Sequence, residues 1–332
     1  MIISKTPFRI SFFGGGTDYP AWYKENGGTV LATTIDKYCY ITCRYLPPFF
    51  DYKHRIVYSQ YEHADNIDEI NHPAVREVFR FMKIEQGLEI HHDGDLPARS
   101  GLGSSSAFTV GLLHALYALQ GKMTTKRRLM LDAIYVEQEM IKESVGSQDQ
   151  ALTAFGGFNR IDFSGNHNIE VRPITLNLLR LEELQSHLML FFTHITRTAS
   201  DIAADKISQI PNKKNELRML HNMVKEAIMI LNEDRDITEF GKLLHEAWEI
   251  KRKLSLKVSN NTIDDIYRKA RKAGAVGGKI LGAGGGGFII FFVKPELQPK
   301  VKEALKDLLY VPFRFDTLGS QIIYYGPDQY IQ

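Results

Sequence analysis

The stretch "PARSGLGSSSA" at 97–107 places two glycines and three serines directly before a long apolar segment. Gly101 and Gly103 tolerate positive φ and let another group approach the backbone closely. A helix predicted over 105–120 starts here, and the unpaired N–H groups of a helix start favour anions. One serine is enough for an ordinary N-cap, so three serines behind two glycines favour a phosphate-binding loop. The residues of this predicted loop are Ser100, Gly101, Leu102, Gly103, Ser104, Ser105 and Ser106.

A second glycine run, "GGGTDYP" at 14–20, follows a predicted strand over 8–13. An ionised Asp18 accepts hydrogen bonds and repels phosphate, so a carboxylate after this flexible turn suits the binding of sugar hydroxyls. An aspartate-capped turn before a helix that begins at Pro20 explains the same residues. Both interpretations stay open at this point.

The third glycine run, "GAGGGG" at 282–287, formally matches the G-x-G-x-x-G pattern of dinucleotide-binding loops. That pattern must lead from a strand into a helix, whereas the following "FIIFFV" is typical of a buried strand. The chain also has no G-x-x-x-x-G-K-[ST] sequence, which argues against a P-loop nucleoside triphosphatase. Small residues between two strands predict either a turn that lets a ligand touch bare backbone or a tight hairpin packed on another domain.

The elements that must position these loops alternate along the chain in an α+β pattern. A change of composition near 165–187 predicts two domains, 1–180 and 181–332. In the first domain, strands are predicted at 8–13, 29–34, 38–45 and 54–59, and helices at 72–83, 105–120 and 126–143. In the second, strands are predicted at 188–193, 276–281, 287–293 and 319–325, and helices at 198–208, 213–232, 236–254, 261–272 and 296–309.

Composition excludes several classes of function. A formal net charge of +2 gives no electrostatic case for binding nucleic acid. No apolar run approaches the roughly 20 residues that span a bilayer, and the N-terminus lacks the regions of a signal peptide. We therefore expect a cytoplasmic protein without a membrane partner. Cys39 and Cys43 lie four residues apart on a predicted strand, about 13 Å from one another, too far for a disulfide.

In this order and spacing, the three glycine-rich segments resemble the GHMP small-molecule kinases, the family of galactokinase, homoserine kinase and mevalonate kinase. The segments are "PFRISFFGGGTDY" (7–19), "PARSGLGSSSAF" (97–108) and "KILGAGGGGFII" (279–290). The resemblance implies an N-terminal domain with a left-handed β-α-β unit, a C-terminal ferredoxin-like domain and an active site between them. It also implies that the serine loop binds the triphosphate of ATP, with Mg²⁺, and that the late glycine run closes over it.

The resemblance assigns roles to individual residues. Asp149, in "GSQDQ", matches the family's catalytic aspartate, and Arg9 matches the basic residue that pairs with it. Ser105 or Ser106 matches one Mg²⁺ ligand; Glu139 is our choice for the other, with Glu137 as the competing carboxylate. Three residues of the third segment would contact or border the phosphates: Lys279, Gly284 and Gly285.

The acceptor is indicated by a departure from the family pattern. Galactokinases read G-E-H-T-D-Y where this chain has glycines at 15 and 16, which removes a Glu and a His from the sugar pocket. The form "GGGTDYP" resembles the branch that phosphorylates D-glycero-D-manno-heptose 7-phosphate at its anomeric hydroxyl, with fucokinase-type enzymes nearby. The predicted substrate contacts are Gly15, Gly16, Thr17, Asp18 and Tyr19.

A phosphorylated sugar also needs a basic partner, and "THITRTAS" at 193–200 offers Arg197. A helix N-cap beside a solvated arginine explains that tract equally, and Lys206 and Arg99 are weaker candidates. Two other functions remain open: a kinase of an unphosphorylated sugar such as L-fucose or galactose, and a non-catalytic sensor of ATP and sugar. The sequence does not distinguish a monomer from a homodimer.

Overall fold

The computed structural model describes residues 1–98, 100–165, 168–195, 199–233 and 235–326. The strands are β1 (Ile2–Phe13), β2 (Gly28–Tyr45), β3 (His54–Val57), β4 (Tyr61–Ala64), β5 (Leu88–Gly94), β6 (Phe158–Ser164), β7 (Asn168–Pro173), β8 (Leu188–Phe192), β9 (Ala275–Ile280), β10 (Phe288–Val293), β11 (Leu309–Val311), β12 (Phe315–Asp316) and β13 (Gln321–Tyr325). The helices are α1 (Pro20–Asn26), α2 (Pro73–Met82), α3 (Ser104–Leu119), α4 (Lys126–Tyr135), α5 (Gln148–Phe155), α6 (Leu178–Ser186), α7 (Ala199–Gln209), α8 (Lys214–Asn232), α9 (Thr238–Arg252), α10 (Asn261–Ala273) and α11 (Gln298–Ala304). Over these described stretches, none of the helices combines the length and the apolar character needed to cross a membrane.

The first sheet is built around β2, an 18-residue strand that the sequence predicts as two shorter ones. It pairs antiparallel with β1, β5, β6 and β12, and the main path through the sheet is β13-β1-β2-β5-β3-β4. The thiols of Cys39 and Cys43 are buried in β2 and are not bridged to one another, as predicted. The last two strands, β12 and β13, return to this sheet, although the predicted boundary assigns them to the second domain.

The central helix α3 lies against β1 and β2, within one residue of its predicted limits. Apolar residues surround it on nearly all sides, so both the sheet and the helices α2, α4 and α5 can pack on it. Gly121 follows its end with a φ of +67°, the left-handed conformation expected just past a helix C-terminus. The start of α3 is thereby fixed in the core with its first turn directed at the space between the sheets.

The second sheet has four antiparallel strands in the order β11-β8-β10-β9. This order, with helices α7 to α10 between β8 and β9 and α11 between β10 and β11, is that of a ferredoxin-like domain. The ferredoxin-like architecture predicted for the C-terminal part of the chain is therefore confirmed. The predicted helix over 296–309 is shorter than expected, because α11 spans only Gln298–Ala304 before β11 begins.

The two domains touch through their glycine-rich loops. The turn between β9 and β10 packs on the loop before α3: a Cβ on Gly282 would stand 2.6 Å from the Cα of Gly101. The N–H of Phe288 donates to the carbonyl of Ser100 at 3.1 Å. The third glycine run is thus a hairpin turn packed on the other domain, one of the two alternatives left open by the sequence.

Phe240 on α9 provides an apolar link across this interface. Its ring meets those of Phe12 and Phe13 on β1 edge-on, at centroid distances of 5.6 and 5.0 Å.

We expect Phe240→Ala to destabilise the fold by about 3–5 kcal/mol, because it leaves a cavity between β1 and α9. The measurement is urea unfolding together with the calorimetric melting temperature. Leu256→Ala is the control, since that side chain is 99% exposed and its loss should cost less than about 0.5 kcal/mol. Equal stability of the two variants would contradict this packing role.

Candidate active site

A cleft of about 250 Å³ lies between the two domains. Its walls are the loop after β1, the loop and first turn of α3, the segment before α5, and parts of α7, α9 and the β9–β10 turn. Six regions that are far apart in the sequence therefore meet at one place. All three glycine-rich segments contribute residues to this cleft.

An ion pair between a buried arginine and a half-buried aspartate lines the cleft. Arg9 on β1 and Asp149 in the first turn of α5 form two parallel hydrogen bonds, Nε to Oδ1 at 2.7 Å and Nη2 to Oδ2 at 2.6 Å. The third guanidinium nitrogen, Nη1, donates to the carbonyl of Gly101 at 2.6 Å. This bidentate, charge-assisted geometry fixes the carboxylate in one orientation. Arg9 and Asp149, which the sequence predicts as the catalytic pair, are thus brought together.

The start of α3 forms the adjoining wall. Gly103 is the N-cap residue with a φ of +77°, and the helix bonds begin only with the N–H of Ala107 to the carbonyl of Gly103. The first turn of a helix directs its N–H groups away from the helix body, and this together with the helix dipole makes such an end attractive to an anion. The members of the predicted phosphate loop that line the cleft are Gly101, Gly103, Ser104, Ser105 and Ser106.

Two members of the predicted loop lie behind the cleft instead. Ser100 is buried, and its carbonyl accepts the hydrogen bond from Phe288 of the second domain. Leu102 is buried in the core, and its carbonyl accepts from the N–H of Arg9 at 3.0 Å. Both residues position the loop and do not line the cavity.

The carboxylate that contacts the serines is Glu137, whereas the structure does not bring Glu139, our choice from the sequence, to this place. Glu139 is exposed and does not line the cleft. Glu137 is fully buried in the π-helical turn Val136–Met140 that continues α4, where its Oε2 accepts from Ser106 Oγ at 2.8 Å and from Gln150. Burial is the main cause that raises the pKa of Glu137 to about 7, and the charge of Glu143 adds to it.

The residues around Glu137 fit a divalent cation. Its second oxygen, Oε1, is buried without a hydrogen-bond partner among the described residues, while Thr109 donates to the carbonyl of Ser105. A buried carboxylate with an unpartnered oxygen next to a serine hydroxyl offers the hard oxygen donors that suit a divalent cation such as Mg²⁺. The described residues hold no cluster of three or more His, Cys, Asp or Glu ligands.

The late glycine turn contributes other residues than predicted. Gly284 and Gly285 do not line the cleft, since Gly285 donates to the carbonyl of Val258 at 2.9 Å on the far side of the turn. The members of this turn that face the cavity are Gly282 and Ala283. Lys279 on β9, which the sequence also places at the phosphates, does line the cavity. Its Nζ donates to the carbonyl of Phe12 at 2.7 Å.

The loop after β1 forms the other end of the cleft. Asp18 is buried, and its carboxylate accepts from the N–H of Gly16 and from Nε2 of Gln148, both at 2.9 Å. Burial raises the pKa of Asp18, and the nearby charge of Asp149 acts in the same direction. A Cβ on Gly146 would collide with this carboxylate, so a residue without a side chain is required there.

Most of the predicted substrate contacts do reach this end of the cleft. Gly15, Gly16, Asp18 and Tyr19 line it, whereas Thr17 is buried behind the loop. The hydroxyl of Thr17 donates to the carbonyls of Gly14 and Thr29, which holds the turn against β2. Arg197 and the weaker candidate Arg99 lie outside the described residues.

Ser11 and Gln148 are among the polar side chains of the cleft that sequence reasoning missed. Ser11 and Gln148 both line it, and each has a buried oxygen, Oγ and Oε1, without a hydrogen-bond partner in the part of the chain that the structure describes. Ser11 stands two residues after Arg9 on β1, so the alternation of a strand places both on one face. The two-residue alternation of the strand could therefore have predicted that Ser11 faces the site. For Gln148 the only sequence signal was its position next to Asp149.

Three lysines of the second domain also reach the cleft: Lys206 on α7, Lys251 on α9 and Lys279 on β9. Burial lowers the pKa of Lys206 to about 8 and that of Lys279 to about 7, and it lowers the pKa of Lys251 as well. Lys251 had no signal in the sequence, because its helix face becomes part of the site only when α9 packs on the β9–β10 turn.

Comparisons with known proteins agree with this architecture. The family model for the GHMP kinase N-terminal domain matches residues 70–157, and the model for the C-terminal domain matches residues 223–311. A D-glycero-alpha-D-manno-heptose 7-phosphate kinase of Campylobacter jejuni is 32% identical over 92% of this chain and 93% of its own length. A galactokinase of Pyrococcus furiosus is 25% identical over 92% of each chain.

A solved structure extends this likeness over the whole chain. The crystal structure of a D-glycero-D-manno-heptose 1-phosphate kinase from Bacteriodes thetaiotaomicron aligns with a TM-score of 0.78 and 25% identity, covering 98% of this chain and 99% of that one. The family models, the sugar-kinase relatives and the shared fold lead to one conclusion. This chain belongs to the GHMP kinase family, and it is a sugar kinase.

Proposed function

We propose that the protein transfers the γ-phosphoryl group of ATP to the anomeric hydroxyl of D-glycero-D-manno-heptose 7-phosphate and so forms the 1,7-bisphosphate. The observation that carries the proposal is the Arg9–Asp149 pair, which stands in one cleft with the open start of α3. A phosphate site and an oriented carboxylate that share a cavity are what in-line phosphoryl transfer to an alcohol requires.

The start of α3 would hold the phosphates of ATP. The backbone amides of its first turn and the hydroxyls of Ser104, Ser105 and Ser106 would supply donors without adding net charge. Mg²⁺ would be held by Ser106 and Glu137, and it would neutralise charge on the phosphate oxygens when bound. Ser105, our first choice for the serine ligand, makes no hydrogen bond from its side chain to Glu137 among those described, whereas Ser106 does.

Asp149 would act on the acceptor hydroxyl. One carboxylate oxygen accepts the hydroxyl proton, or holds that hydroxyl in line with the γ-phosphorus, while the hydroxyl oxygen attacks. The new O–P bond forms as the bond between the γ-phosphorus and the β,γ-bridging oxygen breaks, and ADP leaves. Arg9 keeps the carboxylate turned toward the cavity, and its charge offsets the charge that builds up during transfer.

The acceptor end supports a sugar. Asp18, Ser11 and Gln148 place a carboxylate, a hydroxyl oxygen and an amide oxygen around the space next to Gly15. These groups accept or donate hydrogen bonds in the pattern that adjacent ring hydroxyls require. Glycines at 15 and 16 leave room for an acceptor bulkier than galactose, and relatives named as heptose-phosphate kinases support that choice.

The choice of acceptor is tested by a coupled ADP-release screen. We expect the highest kcat/KM with D-glycero-D-manno-heptose 7-phosphate among that compound, mannose, L-fucose and galactose, because only the first matches both the open sugar end and the cationic groups of the cleft. The position of transfer is read by ³¹P NMR of the product. Preference for an unphosphorylated sugar would overturn the acceptor, and nucleotide binding without turnover of any sugar would overturn the kinase.

The role of Asp149 is tested by Asp149→Asn. We expect kcat to fall by about 10²–10⁴, since the variant lacks the proton acceptor, while the dissociation constant of an ATP analogue stays within about threefold because the start of α3 is untouched. Asp307→Asn, at an exposed position near β11, is the matched control. Turnover of the Asp149 variant at the wild-type rate would rule out the assignment.

Substitution of Glu137 and of Glu139 tests which of the two carboxylates binds the metal. Glu137→Gln should raise the Mg²⁺ concentration for half-maximal activity by at least about tenfold, equal to ~1.4 kcal/mol of lost binding free energy. Glu139→Gln should leave it unchanged, because that side chain is exposed and away from the cleft. Titration of Mg²⁺ against bound ATP by calorimetry gives the same comparison without turnover. A larger effect at 139 than at 137 would contradict the geometry.

A further inference from the structure

Lys206, Lys251 and Lys279 are buried in the cleft wall, and in the described parts of the chain their ammonium groups donate hydrogen bonds to carbonyl oxygens. Lys251 Nζ donates to Ile280 O at 2.7 Å and to Gly282 O at 2.8 Å. Lys206 Nζ donates to Ala283 O at 3.2 Å, and Lys279 Nζ to Phe12 O at 2.7 Å. Their exposures are only 7, 6 and 5% in the order 206, 251, 279. Within the described residues, none of the three forms an ion pair with a carboxylate.

Neutral carbonyls do not compensate buried ammonium groups, and the charges around these three do not balance. The groups that act on them are each other, Arg9, Asp18 and Asp149. The charge of Asp149 is already paired with Arg9, so of the described carboxylates whose charges act on the lysines, Asp18 alone remains for the three of them. Glu143 also lines the cleft, where its charge acts on Glu137. A bound anion is the missing counter-charge.

The position of the lysines indicates which anion this is. The ATP phosphates have their own donors at the start of α3, in the first domain, and the metal pair lies on that side. The lysines come from the second domain, and Lys206 lies 5.7 Å from the centre of the Tyr19 ring and next to Asp18. Lys279 contacts the end of β1, from which the acceptor loop continues. Lys206 and Lys279 therefore border the sugar end of the cleft, and Lys251 lies close to both on the side of the β9–β10 turn.

We propose that Lys206, Lys251 and Lys279 form the binding site for a phosphate group that the acceptor sugar already carries. The inference rests on the proposed function, and it names the residues that distinguish a sugar phosphate from a free sugar. A phosphate dianion supplies the missing charge to three convergent donors, and no bond is made or broken there. An unphosphorylated sugar leaves the lysines uncompensated, so the cluster both favours the phosphorylated acceptor and disfavours the free one.

The test is steady-state kinetics of Lys206→Met, Lys251→Met and Lys279→Met with two acceptors, D-glycero-D-manno-heptose 7-phosphate and the same heptose without phosphate. We expect kcat/KM for the phosphorylated acceptor to fall by at least about tenfold in each variant, while KM for ATP stays within about twofold. For the free heptose kcat/KM should stay equal or rise. Lys242→Met, on the exposed side of α9, is the matched control. If a methionine variant does not fold, the corresponding Lys→Gln variant replaces it.

A second measurement does not depend on turnover. Calorimetric titration of the nucleotide-free protein with heptose 7-phosphate at pH 8, in two buffers of different ionisation enthalpy, should show proton uptake. Burial lowers the pKa of Lys206 to about 8 and that of Lys279 to about 7, so a bound dianion should restore their protons. The Lys206→Met and Lys279→Met variants should each take up fewer protons than the wild type.

The outcomes separate this inference from the function beneath it. Wild-type turnover of heptose 7-phosphate, with variants that keep its KM and its proton uptake, would refute the lysine site alone. An equal rise of KM for ATP and for the acceptor would assign the lysines to the nucleotide. Wild-type activity on free sugars alone would refute both the acceptor and the site.

Discussion

The active site depends on the guanidinium of Arg9. It fixes the carboxylate of Asp149 by two parallel hydrogen bonds and holds the phosphate loop through the carbonyl of Gly101, while its own backbone N–H bonds to Leu102. One side chain thus sets the distance between the carboxylate and the start of α3. A lysine could not do this, because a single ammonium lacks the planar fork that satisfies a carboxylate and a carbonyl together. Arg9 itself is buried, so the loss of any of these acceptors would leave part of its charge without a partner in the interior.

The two domains contribute different kinds of binding to the same cleft. The first domain offers backbone amides and hydroxyls at α3, which attract an anion without placing a full charge in the interior. The second offers three ammonium groups whose burial is unfavourable until an anion arrives. Close contact of the loops at Gly101 and Gly282 brings these two sets within one cavity. A side chain at either position would push the domains apart, which explains why both loops are built of small residues.

The sequence predicted those elements best whose limits depend on residues close together in the chain. The limits of α3 followed from an all-round apolar segment preceded by glycine and serine, and the third glycine run was correctly assigned between two strands. The pairing of Arg9 with Asp149 came from family resemblance, since 140 residues separate them and no local pattern joins them. The ends of the domains were less predictable. Strands β12 and β13 cross back to the first sheet, a tertiary pairing that leaves no mark on their own composition.

Glu137 shows a signal that was present and not used. The buried face of α4 includes Ala133 and Ile134, and Glu137 follows them at the i+4 and i+3 spacings, on the same side of the helix. Glu139, two residues on, is rotated by about 200° in an α-helix and so faces solvent. The π-helical turn adds a residue to this segment but keeps Glu137 inward.

The three lysines of the cleft could not be predicted in this way, because no helical or strand period could reveal that α7, α9 and β9 converge. Their charges become informative only after folding, when burial without a carboxylate partner makes a missing anion the simplest physical account of the cluster.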